Sequence, residues 1–364
     1  MRNDRIAVFV TMLILIGIGM VMIYSASSIT MWQQMGTSTG LLVRQFSYFL
    51  IGLVLMFLAM SIDYYRLRHY ARGLFWVAVI PLVLVLIPGV SREVGGAKRW
   101  LSFLGWNYQP SEFLKIALIV YMADFINRKA NLLTDIWRGF IPSMLVLGFA
   151  TLLVLVQPDL GTAISLVVLV FAMLFVSGAR CAHLFSSILA SLPFLYVLIF
   201  RVPYRRARIM AFLNPWLDPK GSGFQIIQSQ IALGSGGFWG VGLGAGKQKL
   251  FYLPAAHTDF IFSIIGEELG LFGVGCVVLL FIFFIWKMWQ IICSLQEPFG
   301  KLICIGIAVL IAFSAVVNIG VSIGCLPTKG LPLPFISYGG SSLIFHMVAI
   351  GLFLNISRTD ELAI

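Results

Sequence analysis

The chain has 364 residues, of which 60% are hydrophobic and only 11% are charged, and its mean hydropathy is +0.99. Soluble domains are about 45–50% apolar and about 25% charged, so this composition excludes a soluble enzyme or binding domain. The formal net charge of +11 accompanies this apolar character. We therefore predict a multi-span membrane protein, and nucleic acid is not among its expected partners.

The cysteines and histidines predict no bound metal. Five cysteines, an odd number, lie in or beside apolar runs, so neither a disulfide framework nor a CxxC metal site is expected. The four histidines are scattered along the chain. The sequence therefore offers no dedicated set of metal ligands.

Apolar runs divide the chain into membrane spans. A bilayer core about 30 Å thick requires about 20 apolar residues in a helix. On this basis we predict an all-α polytopic fold in which residues 1–364 form one integral membrane domain with ten spans. The spans lie at about 6–26, 46–62, 73–89, 110–126, 139–156, 160–178, 183–202, 260–289, 302–323 and 338–356. One long outer loop, at about 203–258, joins spans 7 and 8. The first apolar run is too long for a cleaved signal peptide.

Basic residues predict the orientation, because they are retained on the cytoplasmic side of membrane proteins. With both termini cytoplasmic, twelve basic residues fall on inner segments: Arg2, Arg5, Arg66, Arg68, Arg72, Arg128, Lys129, Arg138, Arg180, Lys287, Lys301 and Arg358. Five fall on the shorter outer connections: Arg44, Arg92, Lys98, Arg99 and Lys329. The long outer segment adds Arg201, Arg205, Arg206, Arg208, Lys220, Lys247 and Lys249. This outward basic surface predicts an anionic ligand on the outer face.

The eighth span begins with three acids, in the stretch "HTDFIFSIIGEELG". The run at residues 260–293 would make about 51 Å of helix, which is too long for one span. Counting back about 20 residues from Trp286 places the outer boundary near Glu267 and leaves Asp259 about 12 Å beyond it. We therefore predict that Asp259 lies at headgroup height, in the first turn of a helix capped by Thr258.

Each of these acids also has an ordinary structural explanation. An acid in the first turn of a helix complements the helix dipole, and this alternative remains open for Asp259. It suits Glu112 and Asp159, which each follow a proline, even better. Glu267 and Glu268 point about 100° apart, so one could face a cavity while the other pairs with a basic neighbour. The acids therefore indicate an outward polar chamber but not a reaction.

Two outer segments are rich in glycine. The stretch "ALGSGGFWGVGLGAGKQK", at residues 232–249, has neither the glycine spacing of a nucleotide-binding loop nor a preceding strand. It could be a flexible, closely packed segment or a mobile flap over an extended ligand. The connection at residues 324–343 combines Lys329 with a glycine–serine run. Its amide groups would suit an anion, although a rigid turn with helix caps explains the same pattern.

Six motifs carry a resemblance to a known family. They are "GAKRW" (96–100), "QPSEFLK" (109–115), "QPDLGTA" (157–163), "GSGGFWGVGLG" (234–244), "LPAAHTDFIFSIIGEELG" (253–270) and "LPTKGLPLPFISYGGSS" (326–342). Together they resemble the SEDS family of peptidoglycan polymerases, the FtsW, RodA and SpoVE group. The motifs occur in family order over nearly the whole chain. The lysine of "PTKG" and the "IIGEELG" stretch are most similar to the division branch, FtsW.

The resemblance implies a glycosyltransferase that polymerises lipid II at the outer face of the bacterial cytoplasmic membrane. The division branch implies a role in septal cell-wall synthesis, at the division septum. It also implies a class B penicillin-binding transpeptidase and other division proteins as partners, besides lipid II and membrane lipid.

The resemblance also implies roles for individual residues. Asp259, in "HTDFIF", falls on the catalytic position of the family, and Arg99 and Lys329 fall on positions the family requires. Many relatives have a glutamate where this chain has Ala255, and a second acid where it has Phe251. A mechanism that needs a second loop carboxylate is therefore not expected here.

A mechanism follows as a hypothesis. The donor sugar leaves undecaprenyl pyrophosphate, which is a good leaving group, so the enzyme must supply a base and positive charge. Asp259 is the predicted base in an inverting transfer to the acceptor 4-hydroxyl.

The predicted contacts to pyrophosphate or glycan are Arg99, Lys329, Arg205, Arg206, Arg208, Lys98 and His257. Juxtamembrane anchoring is an equally open explanation for the three clustered arginines. Glu112, Lys115, Glu267, Glu268 and Ser337 are predicted to support the site. A divalent cation, Mg²⁺ or Mn²⁺, could screen the pyrophosphate, with ligands that the sequence does not identify.

Two other functions fit a protein of ten spans. A lipid flippase or transporter would need charge near the bilayer centre, for which Lys115 and Asp124 are the candidates. Glu112 lies three residues before Lys115 and could pair with it. A non-catalytic division scaffold would not need Asp259. The one-sided cluster of charges favours surface chemistry.

Overall fold

The computed structural model describes residues 2–89, 91–94, 97–103, 106–250 and 252–363. The regular elements of these residues are twelve α-helices, three short strands, two 3₁₀ helices (Ala130–Leu132 and Pro215–Leu217) and one π-helix (Ile136–Phe140). The helices are α1 (Arg2–Met35), α2 (Gly40–Ser61), α3 (Tyr64–Leu86), α4 (Pro110–Arg128), α5 (Ile141–Val156), α6 (Leu160–Val176), α7 (Cys181–Phe200), α8 (Pro203–Leu213), α9 (Phe224–Ser235), α10 (Ile261–Ser294), α11 (Pro298–Ser322) and α12 (Gly340–Ala363). The strands are β1 (Ser91–Val94), β2 (Ala97–Phe103) and β3 (Trp106–Tyr108).

The predicted membrane architecture is confirmed in outline. Each of the ten predicted spans overlaps one helix, and eight helical segments of the described chain are long and apolar enough to cross a membrane, one of them being α5 together with the π-helix before it. The other two are α6, which has 17 residues, and α4, which carries Glu112, Lys115 and Asp124. The number of ten spans and the orientation of the termini stay predictions.

Helix α4 forms the centre of the bundle. Its side chains are buried almost without interruption from Pro110 to Ile126, and it packs against α3, α5, α6, α11 and α12. A helix that faces protein on all sides can carry polar side chains, provided that they are paired. This position explains why α4 is less apolar than its neighbours. By contrast, α7 lies at the periphery and buries only Leu184 among its described residues.

The prediction of a purely helical fold missed a small sheet. Strands β1, β2 and β3 form a three-stranded antiparallel sheet between α3 and α4, with Arg92 opposite Trp100 and Leu101 opposite Tyr108. Strands this short contribute no long apolar run, so a search for spans passes over them. The sheet matters for the site because β2 carries Arg99.

The segment at 203–258, predicted to be one long outer loop, contains two helices, α8 and α9. Its glycine-rich part is bound to a break in α10 at Gly270, whose φ of 67° and ψ of −164° are not helical. The amides of Val241 and Gly242 donate to the carbonyls of Glu267 and Glu268 at 3.0 and 3.1 Å. Unpaired backbone groups are costly in a membrane, so this pairing stabilises the break.

The glycines of this segment permit the close approach. A Cβ atom at Gly236 would contact the carbonyl of Gly266, and one at Gly240 would contact the carbonyl of Glu268. The amide of Leu271 completes the join by donating to the Gly237 carbonyl at 2.9 Å. Of the two interpretations of this segment, these contacts favour close packing over a mobile flap.

Candidate active site

Asp259 lies just before α10. The helix begins at Ile261, and the Thr258 hydroxyl donates to the Ala255 carbonyl at 3.2 Å instead of capping the helix. The predicted cap and the predicted first-turn position of Asp259 are therefore both wrong. Asp259 is held in a turn, which removes the helix-dipole explanation for its side chain.

Two polar side chains fix this turn. Asn318 of α11 donates to the carbonyls of Asp259 and Leu331, each at 2.9 Å. Ser337 donates to the Thr258 carbonyl at 2.6 Å and accepts from the Leu333 amide at 2.9 Å. The turn is thereby bound to the 331–338 segment. Ser337 was among the residues predicted to support the site, and that role stays a prediction. Asn318 was missed, because its only signal is a lone amide in an apolar helix.

The Asp259 carboxylate itself has no partner among the described residues: none donates a hydrogen bond to it or forms an ion pair with it. The side chain is half-buried, and the backbone of Gly330 passes beside it. A Cβ atom at Gly330 would lie 3.4 Å from Oδ2 of Asp259. A side chain there would come into van der Waals contact with the carboxylate, so glycine leaves this face less covered.

The surroundings make Asp259 a stronger base than an ordinary carboxylate. Desolvation raises the pKa of Asp259 to about 6, and the nearby charge of Asp159 acts in the same direction. The charges of Arg208 and Arg99 oppose this shift. A carboxylate with a pKa just below neutrality is largely ionised at pH 7 and can accept a proton from a hydroxyl group.

Arg99 reaches the site from the sheet. Its Nε donates to the Gln157 carbonyl at 3.0 Å, a second nitrogen donates to the Pro158 carbonyl, and Nη1 lies 3.9 Å from Asp159 Oδ1. These contacts hold the guanidinium group between β2 and the start of α6. Arg99 therefore stands near Asp259 without pairing with it.

The three clustered arginines separate in the structure. Arg208 donates to the Thr328 carbonyl at 3.1 Å and stacks over Tyr204, with its guanidinium carbon 4.4 Å from the ring centre. Arg205 donates instead to the Leu198 carbonyl at 3.1 Å, and Arg206 is exposed. Of the three, only Arg208 acts electrostatically on Asp259, so the three side chains do not converge on one point.

Three further predicted contacts have different outcomes. Lys329 is half-buried beside Gly330, and burial lowers its pKa. His257 packs edge-on against Tyr338, with ring centres 5.8 Å apart, and burial lowers its pKa as well. The side chain of Lys98 lies outside the described residues.

Two predicted supporting acids bind the glycine-rich segment. Glu268 accepts hydrogen bonds from Lys249 Nζ at 2.6 Å, from Ser25 at 2.7 Å and from the Gly244 amide at 3.0 Å. Glu267 accepts from the amides of residues 247 and 248, at 2.7 and 3.2 Å. These contacts agree with a structural role. Lys249 is buried in this cluster, so including it in the outward basic surface was wrong.

The predicted pairing of Glu112 with Lys115 is confirmed. The Lys115 ammonium group lies 2.8 Å from Glu112 Oε1, and both side chains are buried in α4. A buried ion pair inside the central helix is a structural element of the bundle, because each charge satisfies the other.

The acids near Asp259 do not form a metal site. Asp159 caps α6, accepting from the Thr162 amide at 3.1 Å and the Thr162 hydroxyl at 2.9 Å. Asp259 is thus the one carboxylate there without a protein partner among the described residues. No group of three or more His, Cys, Asp or Glu residues in that part of the chain could hold a metal ion.

Comparisons with known proteins identify the family. The profile of the FtsW/RodA/SpoVE family, described as cell cycle proteins, matches residues 5–362. The probable peptidoglycan glycosyltransferase FtsW of Trichlorobacter lovleyi is 48% identical over 345 residues, which cover 95% of this chain and 91% of that protein. Stage V sporulation protein E of Bacillus subtilis is 42% identical, over 98% of this chain and 97% of that protein. The chain belongs to the FtsW/RodA/SpoVE family.

Solved structures agree with this assignment. A chain from a peptidoglycan synthase complex that coordinates polymerization and crosslinking has a TM-score of 0.79 and 31% identity, with 97% of each chain covered. The rod shape determining protein RodA of Thermus thermophilus has a TM-score of 0.69 and 27% identity, over 97% of this chain and 96% of that one. The fold described above is therefore the fold of this family.

Proposed function

We propose that the protein polymerises lipid II into glycan strands and that Asp259 is the general base. The observation that carries this proposal is the half-buried Asp259 carboxylate, which has a raised pKa and no partner in the described chain. The positive charges of Arg208 and Arg99 act on this carboxylate, and Lys329 immediately precedes Gly330, whose backbone passes beside it. A base beside cations is the arrangement that glycosyl transfer from a lipid pyrophosphate needs.

The class of enzyme follows from the relatives. Relatives that are 46–48% identical over 93–95% of this chain are named probable peptidoglycan glycosyltransferases, and this protein is a peptidoglycan glycosyltransferase. Its similarity to FtsW proteins supports a role in septal cell-wall synthesis.

The proposed reaction is an inverting transfer. Asp259 removes the proton from the acceptor 4-hydroxyl as that oxygen attacks the anomeric carbon of the donor sugar. The bond from this carbon to the pyrophosphate oxygen breaks, and the pyrophosphate departs with its electron pair. Arg208, which also contacts Thr328 next to Lys329, is placed to stabilise the developing charge, together with Arg99.

No group of three or more His, Cys, Asp or Glu among the described residues could hold a metal ion, so we propose that the protein supplies positive charge to the site through its basic side chains. One free carboxylate offers a divalent cation a single protein ligand, and Mg²⁺ usually binds through one or two carboxylates plus substrate phosphates. We propose that any Mg²⁺ or Mn²⁺ requirement reflects binding to the substrate pyrophosphate.

We also propose the cellular setting. The site lies at the end of the bundle where α4, α6, α10 and α12 begin, which we assign to the outer face of the bacterial cytoplasmic membrane. This assignment fits ten spans, cytoplasmic termini and a substrate carried in the outer leaflet. Location at the division septum follows from the proposed septal role.

The partner that we propose is a class B penicillin-binding transpeptidase. The related chain of known structure belongs to a complex that couples polymerization with crosslinking. In this protein a cavity of about 750 Å³ lies between α10 and α11 and is lined by apolar side chains, including Phe281, Ile285 and Val316. An apolar groove of this size on membrane helices suits one transmembrane helix of the transpeptidase.

One assay tests the proposed function against its rivals. Purified wild-type protein and Asp259→Ala are each given labelled lipid II, in detergent for glycan polymer and in liposomes for lipid movement. The proposal expects polymer from wild type only. Lipid movement without polymer in either protein would establish a flippase, and neither activity would establish a scaffold. Equal polymer from both proteins would overturn Asp259 as the base.

A further inference from the structure

We propose that the protein binds the phosphate headgroup of an anionic phospholipid in a basic pocket between α3 and α4, far from Asp259. The pocket has a volume of about 500 Å³ and is lined by Tyr65, Arg68, His69, Arg72, Asp124 and Arg128. This inference does not rest on the proposed polymerase mechanism, because none of these residues contributes to the candidate active site.

The pocket lies at the opposite end of the bundle from the candidate active site. Helix α4 starts at the site end, where the Gln109 amide donates to Ser341 at 3.0 Å and the Gln109 side chain approaches Asp159 at 3.5 Å. Asp124 follows 14 residues after the start of α4, at a distance of about 21 Å along the helix. The pocket therefore faces the other leaflet of the membrane.

The single acid in the pocket is already neutralised. Asp124 is buried, and its Oδ2 lies 2.9 Å from Nε and 2.8 Å from Nη2 of Arg128. Its Oδ1 lies 3.8 Å from Nε of Arg68. Three arginines and one carboxylate thus line the pocket, which leaves a formal excess of two positive charges. The buried acid orients two of the arginines while the third, Arg72, adds uncompensated charge.

A guanidinium group is the protein cation best suited to a phosphate group, because its donors match two phosphate oxygens at once. Side-chain exposures of 46% for Arg68 and 34% for Arg128 leave these donors accessible. A concave site with ordered arginines differs in this respect from the scattered basic residues that usually mark the cytoplasmic side.

The surface beside the pocket selects a lipid over a soluble phosphate. Trp76 and Ile80 follow Arg72 at intervals of four residues on α3, so they continue the same face of the helix. They are 58% and 57% exposed. An apolar stripe that starts at the pocket can accompany the acyl chains of a lipid whose phosphate lies between the arginines. Basic pockets between membrane helices at this depth are known to suit anionic headgroups.

Native mass spectrometry of the purified full-length protein tests the proposal. Phosphatidylglycerol and phosphatidylcholine with identical acyl chains are titrated into the wild type, Arg72→Gln and Arg66→Gln. Arg66 lies on the same helix, is 79% exposed and does not line the pocket. We expect the wild type to prefer phosphatidylglycerol. Arg72→Gln should weaken its binding roughly fivefold, while Arg66→Gln should leave it unchanged.

A soluble competitor separates the two sources of phosphate. Inorganic phosphate at millimolar concentration should not displace phosphatidylglycerol, because it lacks acyl chains for the apolar stripe. Displacement by phosphate would overturn the assignment to a lipid. Equal binding of the two lipids, or equal losses in Arg72→Gln and Arg66→Gln, would overturn the pocket itself. Because both arginines are exposed, unfolding of the variants is not expected, and their melting curves provide that check.

Discussion

Two carboxylates in one short stretch of sequence, Asp259 and Glu268, have opposite surroundings. Glu268 is fully buried, and its oxygens accept hydrogen bonds from an ammonium group, a hydroxyl group and a backbone amide. Asp259 is half-buried and receives no hydrogen bond from any described residue. The side chain of Glu268 connects α10 to α1 and to the glycine-rich segment. The side chain of Asp259 makes no such connection to any described residue.

The contrast distinguishes a carboxylate that stabilises the fold from one that is available for a reaction. A buried charge is tolerated when its partners satisfy it, and removing one partner then costs stability. A charge that remains without partners beside an open face stabilises no contact of the fold. Its position near Arg99 and Arg208 is better explained by a reaction. The two residues should therefore respond to mutation in opposite ways.

The largest expected effect is on the rate of Asp259→Asn. This change keeps the shape of the side chain but removes the base, so polymerisation of lipid II should fall about 10²- to 10⁴-fold. The melting temperature should stay the same or rise, because no hydrogen bond to the carboxylate is lost. The measurement is glycan polymer per unit time together with thermal unfolding in detergent. If folded Asp259→Asn retained most of the polymerisation rate, the contrast between Asp259 and Glu268 would not hold.

Glu268→Ala should show the reverse pattern in stability. It leaves Lys249 buried without its partner, and we expect the free energy of unfolding to fall by about 3–5 kcal/mol. Equilibrium unfolding in mixed micelles measures this loss. The double variant Lys249→Met with Glu268→Leu is the matched control, because removing both charges should recover part of the stability. If the double variant is less stable than Glu268→Ala, the ion pair is not the source of the loss.

The sequence was most informative about the membrane helices, because a bilayer restricts the structures that a long apolar run can form. Long apolar runs have few alternatives to membrane helices, so the positions of the helices could be predicted. The pairing of Glu112 with Lys115 was also predictable, because it depends on residues three positions apart in one helix. Asp259 could be singled out because it lies in the "HTDFIF" motif.

What could not be predicted depends on contacts between distant segments. The break at Gly270 exists because residues 237–242 supply partners for the freed backbone groups, and no local pattern reports that pairing. Lys249 looks like any outer basic residue until Glu268 and Ser25 are seen around it. Asn318 fixes the Asp259 turn from a helix 59 residues further along the chain.

The arginines near Asp259 offer a smaller, sharper test. Arg208→Gln should reduce polymerisation about ten- to a hundredfold, because a hydrogen bond to a charged group contributes about 1.5–3 kcal/mol. Arg206→Gln, two residues earlier and exposed, is the control and should keep its rate. Both are measured in the lipid II polymerisation assay. Equal losses in the two variants would mean that general basicity, and not the position of Arg208, supports the reaction.

The pH dependence gives the smallest effect and the most specific one. The pKa of Asp259 is raised from 3.8 to about 6, so the ionised base is lost as the pH falls through about 6. At pH 5 the wild-type rate should drop to about a tenth of its plateau. The contribution of Asp259 to stability runs the other way: it is fully present below pH 3.8 and is lost as the pH rises through about 6.

A rate profile between pH 5 and pH 8 measures this effect, and the residual rate of Asp259→Asn provides the control. The acid limb should be absent from the variant, because its side chain does not titrate. An unchanged acid limb in Asp259→Asn would assign the titration to another group. The same profile in Glu268→Ala should keep its midpoint near 6, because the ion pair with Lys249 stabilises the fold without supplying the proton acceptor.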